Sequence, residues 1–326
     1  MLPRRQKQGT IAFITTPNFR VSSPDLTESF MCRHLYFLCN AFVVMTTGRT
    51  FDLIQKIVNT TPEEGPRRLI EHDMKLQSAT PGDIDRWRST ILDALRPTLP
   101  GYPGMIHVAY ELVEGRLDAV IHLSDWEDKT GKPDSAVLSR EANVHDVPIA
   151  ADPDTARAYI ASWEASLARL QPGQALFKKR QQPKAPPLKD LKPGHRVLAM
   201  VAHDNMKLEI CRFAVEYATH IFRTYDYVLA TGTTGNWLKR FMEATGRGHD
   251  DIKKIRCCNS GPLGGDIQIA FAVVREICRK IIFLQDPSVS HPHDSDIRLF
   301  EQAVLKPDIH VELATNVESA RLLLGV

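Results

Sequence analysis

The chain has 326 residues, enough for two domains of ordinary size, each with its own core. With 43% hydrophobic and 25% charged residues it has the composition of a soluble globular protein, which excludes disorder throughout. A formal charge of +2 argues against nucleic acid as a partner, and no apolar run approaches the roughly 18 residues of a membrane span.

Arg4, Arg5 and Lys7 precede Ile11-Ala12-Phe13-Ile14, a run too short for a signal-peptide core. It is taken as the first buried strand, and a cytoplasmic location is expected. Phe42 to Gly48 (FVVMTTG) is a second strand, ending in Thr-Gly ahead of an amphipathic helix, and Val120 to Asp125 (VIHLSD) is a third. From Ala161 to Gly194 the composition shifts: Pro172, Pro183, Pro186, Pro187 and Pro193 interrupt a stretch rich in Lys and Gln. Such a stretch is a linker, which sets the expected domains at 8–165 and 195–326 with the linker at 166–194. The six cysteines show no CxxC pair and no zinc-ligand spacing, so they are expected to be reduced thiols.

Beyond the linker the order of signals repeats. Val197 to Ala202 (VLAMVA) answers Ile11 to Thr16, and Tyr227 to Gly232 (YVLATG) answers Phe42 to Gly48. Ile281 to Asp286 (IIFLQD) answers Val120 to Asp125, and Ala314 to Arg321 (ATNVESAR) answers Ala150 to Arg157 (AADPDTAR). Tandem duplication is the simplest account. Alternating strand and helix signals predict, in each half, a mainly parallel sheet between two layers of helices, with ligands outside the carboxyl ends of the strands.

Each chemistry-bearing motif falls at such an end. His203-Asp204-Asn205-Met206-Lys207 puts an imidazole, a carboxylate and an ammonium just after a strand, either as a binding loop or as a helix cap at Asp204. Thr231-Gly232-Thr233-Thr234-Gly235-Asn236 offers hydroxyls and helix N–H groups to an anion, or caps a helix beginning near Trp237. In Ser260-Gly261-Pro262-Leu263-Gly264-Gly265-Asp266, paired glycines let backbone N–H groups and a carboxylate converge on one small ligand. His291-Pro292-His293-Asp294-Ser295-Asp296 has histidines and acids but no second ligand cluster. Polarising a carbonyl through a neutral His293 therefore suits it better than holding a metal, and no metal or cofactor is expected.

Together these segments, with Asp286-Pro287 and ATNVESA, resemble methylglyoxal synthase from about His195 to Leu324. The resemblance implies a Rossmann-like fold and conversion of dihydroxyacetone phosphate to methylglyoxal and inorganic phosphate without metal or nucleotide. It implies Asp266 as general base, His293 as the group polarising the ketone and enediolate oxygens, and Asp296 as the acid holding the base. It further implies phosphate contacts from Lys207, Thr233, Thr234, Ser260 and Gly261, in a pocket lined by His203, Asp204, Thr231, Gly265 and Asp286. Inorganic phosphate is expected as product and inhibitor, and a homo-oligomer fits the family.

The resemblance has departures. Family members continue past the ATN motif with a tail that lends an arginine to a neighbouring site, so that contact is expected to be absent or replaced. Residues 248–254 have no assigned place. In the first half the counterpart of Asp266 is Met105, which cannot accept a proton, and Pro133 and Ala136 stand against His293 and Asp296. Thr47-Gly48-Arg49-Thr50 keeps part of a phosphate loop. The first half is therefore expected to be a degenerate copy, inactive in turnover. The competing reading of the whole is a regulatory module that binds phosphate or an effector without catalysis.

Overall fold

The computed structural model describes residues 6–59, 81–125, 133–171, 173–178, 186–286, 288, 294–305 and 309–326. Two compact units divide the chain, Met1–Gln182 and Pro183–Val326.

In the first unit, β1 (Thr10–Thr15), β2 (Val43–Thr46), β3 (Leu95–Pro97), β4 (Ala119–Leu123) and β5 (Ile149–Ala150) form a sheet in the order β3-β2-β1-β4-β5. Every pairing is parallel; Ile11 faces Val44 on one side and Ala119 on the other. In the second unit, β6 (Val197–Ala202), β7 (Tyr227–Ala230), β8 (Ile255–Cys257), β9 (Lys280–Leu284) and β10 (Glu312–Ala314) run β10-β9-β6-β7-β8, again all parallel. Counted along each unit, the fifth, fourth, first, second and third strands are neighbours in both. Central strands buried on both faces read as unbroken apolar runs, and every residue of β4 and of β6 is buried. With helices joining the strands, the chain is two tandem α/β domains, as the alternating pattern predicts. Among the described residues no helix is long and apolar enough to cross a membrane.

Two of the paired sequence motifs turn out to be helix starts. Asp152 caps Pro153–Arg169, its carboxylate accepting from the Asp154 and Thr155 N–H groups, and Asn316 caps Val317–Leu324 by accepting from Ser319 N–H at 2.9 Å. The Asp and Asn of AADPDTAR and ATNVESAR thus do the same structural work. Residues 248–254, unplaced in sequence, form the short helix His249–Lys253 leading into β8.

The proline-rich stretch is more closely tied to the units than its composition suggests. The helix Pro153–Arg169 runs past residue 165, and beyond it Phe177 lies 5.8 Å from the Phe42 ring and 5.7 Å from that of Trp163. Aromatic area of this kind outweighs the local breaker signal of nearby prolines. Leu188 and Leu191 are also buried. Five of the six cysteines are buried; burial pushes the thiols of Cys39 and Cys278 up to about 12 and that of Cys211 to about 11, which leaves them unreactive.

Because Phe177 closes one side of the Phe42–Trp163 contact, Phe177→Ala should cost the first unit roughly 2 kcal/mol in urea denaturation. A loss within error of zero would show that the segment does not pack there.

Candidate functional site

Four adjacent strands of the second unit, β9, β6, β7 and β8, carry the marked residues on the loops leaving their carboxyl ends. This is the edge where ligands of open parallel sheets bind.

After β6, the His203 N–H donates to Leu284 O at 3.1 Å, and the Asp286 N–H donates to His203 Nδ1 at 2.9 Å. The ring is pinned between the ends of β6 and β9, with its plane edge-on to Phe283. Since Nδ1 accepts, the neutral imidazole carries its proton on Nε2. Asp204 does not cap a helix through its side chain; it opens the 3₁₀ turn Asp204–Met206, and its carboxylate takes the ammonium of Lys207. Lys207 is 14% exposed and Asp204 89%, so a mostly buried cation has a partner standing in water, which holds it weakly. An arriving anion can take that partner's place.

Asp286 ties two loops together. Its carboxylate accepts from Ser288 N–H at 2.9 Å and from Asn205 Nδ2 at 2.7 Å. Hydrogen bonds from Ser288, then from Asn205, hold its pKa at about 2, below the usual 3.8. It is a fixed acceptor rather than a proton carrier.

After β7 the helix Gly232–Ala244 begins at once, earlier than the expected start near Trp237. Thr231 occupies the cap position, yet its hydroxyl donates to Thr234 Oγ1 at 3.2 Å instead of capping the backbone. Both threonines are buried, Thr233 is exposed, and among the described residues no side chain takes the first-turn amides of Thr233 and Thr234. Those N–H groups have no partner within the helix either, so they remain for a ligand.

The loop after β8 is held against the loop after β7 by backbone contact. Gly232 N–H donates to Asn259 O at 2.8 Å, and a Cβ on Gly232 would lie 2.9 Å from Cys258 O and 3.0 Å from Ser260 N. A Cβ on Gly265 would lie 2.0 Å from Asn259 O, so that position admits no side chain. The loop passes through Ser260 and the turn Gly261–Leu263, then Gly264 in the left-handed region at φ 86°, into the helix Gly265–Val274. Asp266 sits on the first turn of that helix and is 5% exposed.

The structure therefore brings His203, Asp204, Lys207, Thr231, Thr233, Thr234, Ser260, Gly261, Gly265, Asp266 and Asp286 to one edge of one sheet. His293 lies outside the described residues. Asp296 belongs to the helix Asp294–Val304, but its side chain lies outside them too.

Two amides escaped the sequence reading. Asn205 lay inside a quoted motif without a role. Gln268, fully buried, accepts the Asn259 N–H on Oε1 at 2.7 Å and so supports the β8 loop from beneath. Its signal was available: it is the one amide in the otherwise apolar run Ile267–Val274. Two cavities, of about 430 Å3 by His195, Lys254 and Arg256 and about 710 Å3 by Gly115, Asp118 and Pro148, lie at the amino edges of the two sheets, away from these loops.

Gln268→Ala would leave a partly buried N–H without its acceptor and should cost about 1–3 kcal/mol in chemical denaturation. Asp286 has a folded pKa below its unfolded one, so it contributes stability above about pH 4 that is lost as pH falls through about 2. Carbon-13 carboxyl titration should find that midpoint, and Asn205→Ala should move it up toward 3.8. A midpoint already at 3.8 in the unaltered protein would refute the hydrogen-bonded arrangement.

No family model matches the chain. Among curated proteins it is 37% identical over 127 residues to the methylglyoxal synthase of Enterococcus faecalis, covering 39% of this chain and 81% of that protein. It is 41% identical over 128 residues to that of Brevibacillus brevis (39% and 84%), and 38% identical over 132 residues to that of Thermus thermophilus (40% and 93%). A crystal structure of methylglyoxal synthase from Elizabethkingia anophelis is 28% identical, covering 41% of this chain and 80% of that one, with a TM-score of 0.34. Each match spans about one domain's length and leaves the rest of the chain unmatched. On the strength of relatives matched over more than four-fifths of their own length, the chain belongs to the methylglyoxal synthase family.

Proposed function

We propose that the second unit converts dihydroxyacetone phosphate to methylglyoxal and inorganic phosphate. The observation that carries this reading is a carboxylate, Asp266, set at the N-terminal turn of a helix on a glycine-framed loop, beside a hydroxyl-bearing loop suited to a phosphate. A module that only bound phosphate would need the second of these and not the first.

In the reaction Asp266 takes a proton from the hydroxymethyl carbon, and the electron pair moves toward the ketone oxygen. His293, in the role given to the histidine of the family's PHDxD motif, donates to that oxygen as the enediol forms. The enediol then expels phosphate as the carbon–oxygen bond breaks and the terminal hydroxyl gives up its proton to the departing phosphate, leaving an enol-aldehyde that tautomerises to methylglyoxal. Elimination is fast only when the breaking bond lies perpendicular to the plane of the enediol. The phosphoryl group must therefore be held, a task for Lys207, the first-turn amides of Thr233 and Thr234, and the Ser260-Gly261 loop. Asp296 holds the base, and His203, pinned through Nδ1, lines the same edge.

Asp266→Asn keeps the shape of the site and removes the proton acceptor. Turnover of dihydroxyacetone phosphate should fall about 10²–10⁴-fold, while affinity for inorganic phosphate changes by no more than a few-fold. A variant that retains full phosphate release would remove Asp266 from the role of base.

A further inference from the structure

The same edge of the first sheet holds two arginines that have no ion-pair partner among the described residues. Arg20 lies on the helix Pro17–Ser22 that follows β1, and Arg49 in the first turn of the helix Gly48–Asn59 that follows β2, the strand paired with β1. The two segments are tied by Thr15 N–H donating to Thr50 Oγ1 at 3.2 Å and by the Thr15–Thr50 hydroxyl contact at 3.4 Å, and Thr47 meets the Thr50 hydroxyl at 3.1 Å within the second. Thr15, Thr16, Thr46, Thr47 and Thr50 are all buried there. Among the described residues neither arginine is in an ion pair, and Arg20 Nη1 is buried with no hydrogen-bond partner. Burial first, and the Arg49 charge second, lower the pKa of Arg20. Like charges brought together and partly desolvated are costly unless an anion joins them.

The arrangement matches the second unit position by position. Arg20 stands at the same remove from the end of β1 as Lys207 does from the end of β6, and Arg49 follows β2 as Thr233 follows β7. The Thr47–Thr50 contact repeats that of Thr231 with Thr234. Gly48 donates to Leu99 O at 3.3 Å as Gly232 does to Asn259 O, and a Cβ on Gly104 would lie 1.9 Å from Leu99 O, as one on Gly265 would lie 2.0 Å from Asn259 O. The glycine match puts Met105 where the second unit has Asp266.

We propose that the first unit carries a second, non-catalytic site that binds a phosphate or phosphomonoester dianion between Arg20 and Arg49 at the carboxyl ends of β1 and β2. Charge-assisted guanidinium contacts supply the grip, and Met105 leaves no group to take a proton. The site does not depend on turnover by the second unit.

The test is calorimetric titration of the full chain with inorganic phosphate, with glycerol phosphate in parallel. The wild type should bind one more phosphate per chain than R20A/R49A, and K207A should keep the site that R20A/R49A loses. Arg49 is exposed, so R49A leaves the fold unchanged and should weaken that site at least about tenfold for whichever of the two ligands occupies it. Binding in R49A and in R20A/R49A that equals the wild type in number and affinity overturns the proposal. Failure of K207A alone to alter binding would count against the reading of the second unit and not against this one.

Discussion

The loop after β8 approaches the loop after β7 so closely that neither Gly232 nor Gly265 has room for a β-carbon, and the rest of the site depends on that approach. Strands in a parallel sheet stand nearly 5 Å apart, and their side chains point to opposite faces. Residues from neighbouring loops therefore meet over one small ligand only if the loops fold toward each other. The Gly232 N–H bond to Asn259 O locks them together, and Gln268 braces the same stretch through the Asn259 N–H. Asp266 follows directly on the contact, so its position is set by backbone packing and not by a flexible side chain reaching across a gap.

The two sides of the site are held by different forces. On the β7–β8 side, the approach of glycine backbone to carbonyl is governed by repulsion and leaves little tolerance. On the β6–β9 side, His203, Asn205, Asp286 and Ser288 are joined by hydrogen bonds, some near solvent, and Lys207 by an ion pair whose carboxylate is exposed. Hydrogen bonds and exposed ion pairs exchange with water or ligand at modest cost, whereas close-packed backbone does not. The molecule thus presents a rigid wall carrying the acid and a more adaptable wall carrying the cation.

Much of this was legible in the residues. The buried runs at Ile11, Val197 and Ile281 are continuous apolar stretches, and that at Val120 is broken only by the buried His122; they became central strands because only a strand covered on both faces can be so nearly apolar throughout. The edge strands Leu95–Pro97 and Ile255–Cys257 were not legible: three residues are too few to show a period, and pairing with β2 and β7 decides them. The motif Thr231–Asn236 was read as either a cap or an anion loop; the threonine takes the cap position while its hydroxyl turns to Thr234, a distinction that lies in one rotamer and leaves no trace in composition. Asp152 and Asn316, paired in sequence, proved to be caps, so part of the internal similarity records helix starts and not chemistry. The proline-rich stretch misled in another way, because Phe177 packs on Trp163 regardless of the breakers around it.

Comparison of the two sheets separates what the scaffold needs from what a reaction needs. Gly48 and Gly104 meet Pro100 and Leu99 in the first unit as Gly232 and Gly265 meet the 258–260 backbone in the second. The paired threonines recur as well. These features persist where the acid is replaced by Met105, so they belong to closing the loops of this fold and cannot by themselves identify a catalyst. In a Gly-Gly-Asp motif the second glycine and the aspartate therefore answer to separate constraints, one steric and one chemical, and only the second distinguishes the units. The cationic position is occupied in both, by Arg20 and by Lys207. A cation at that position is what the two edges have in common; a proton acceptor beside it requires one residue more, which the second unit has in Asp266 and the first, with Met105, lacks.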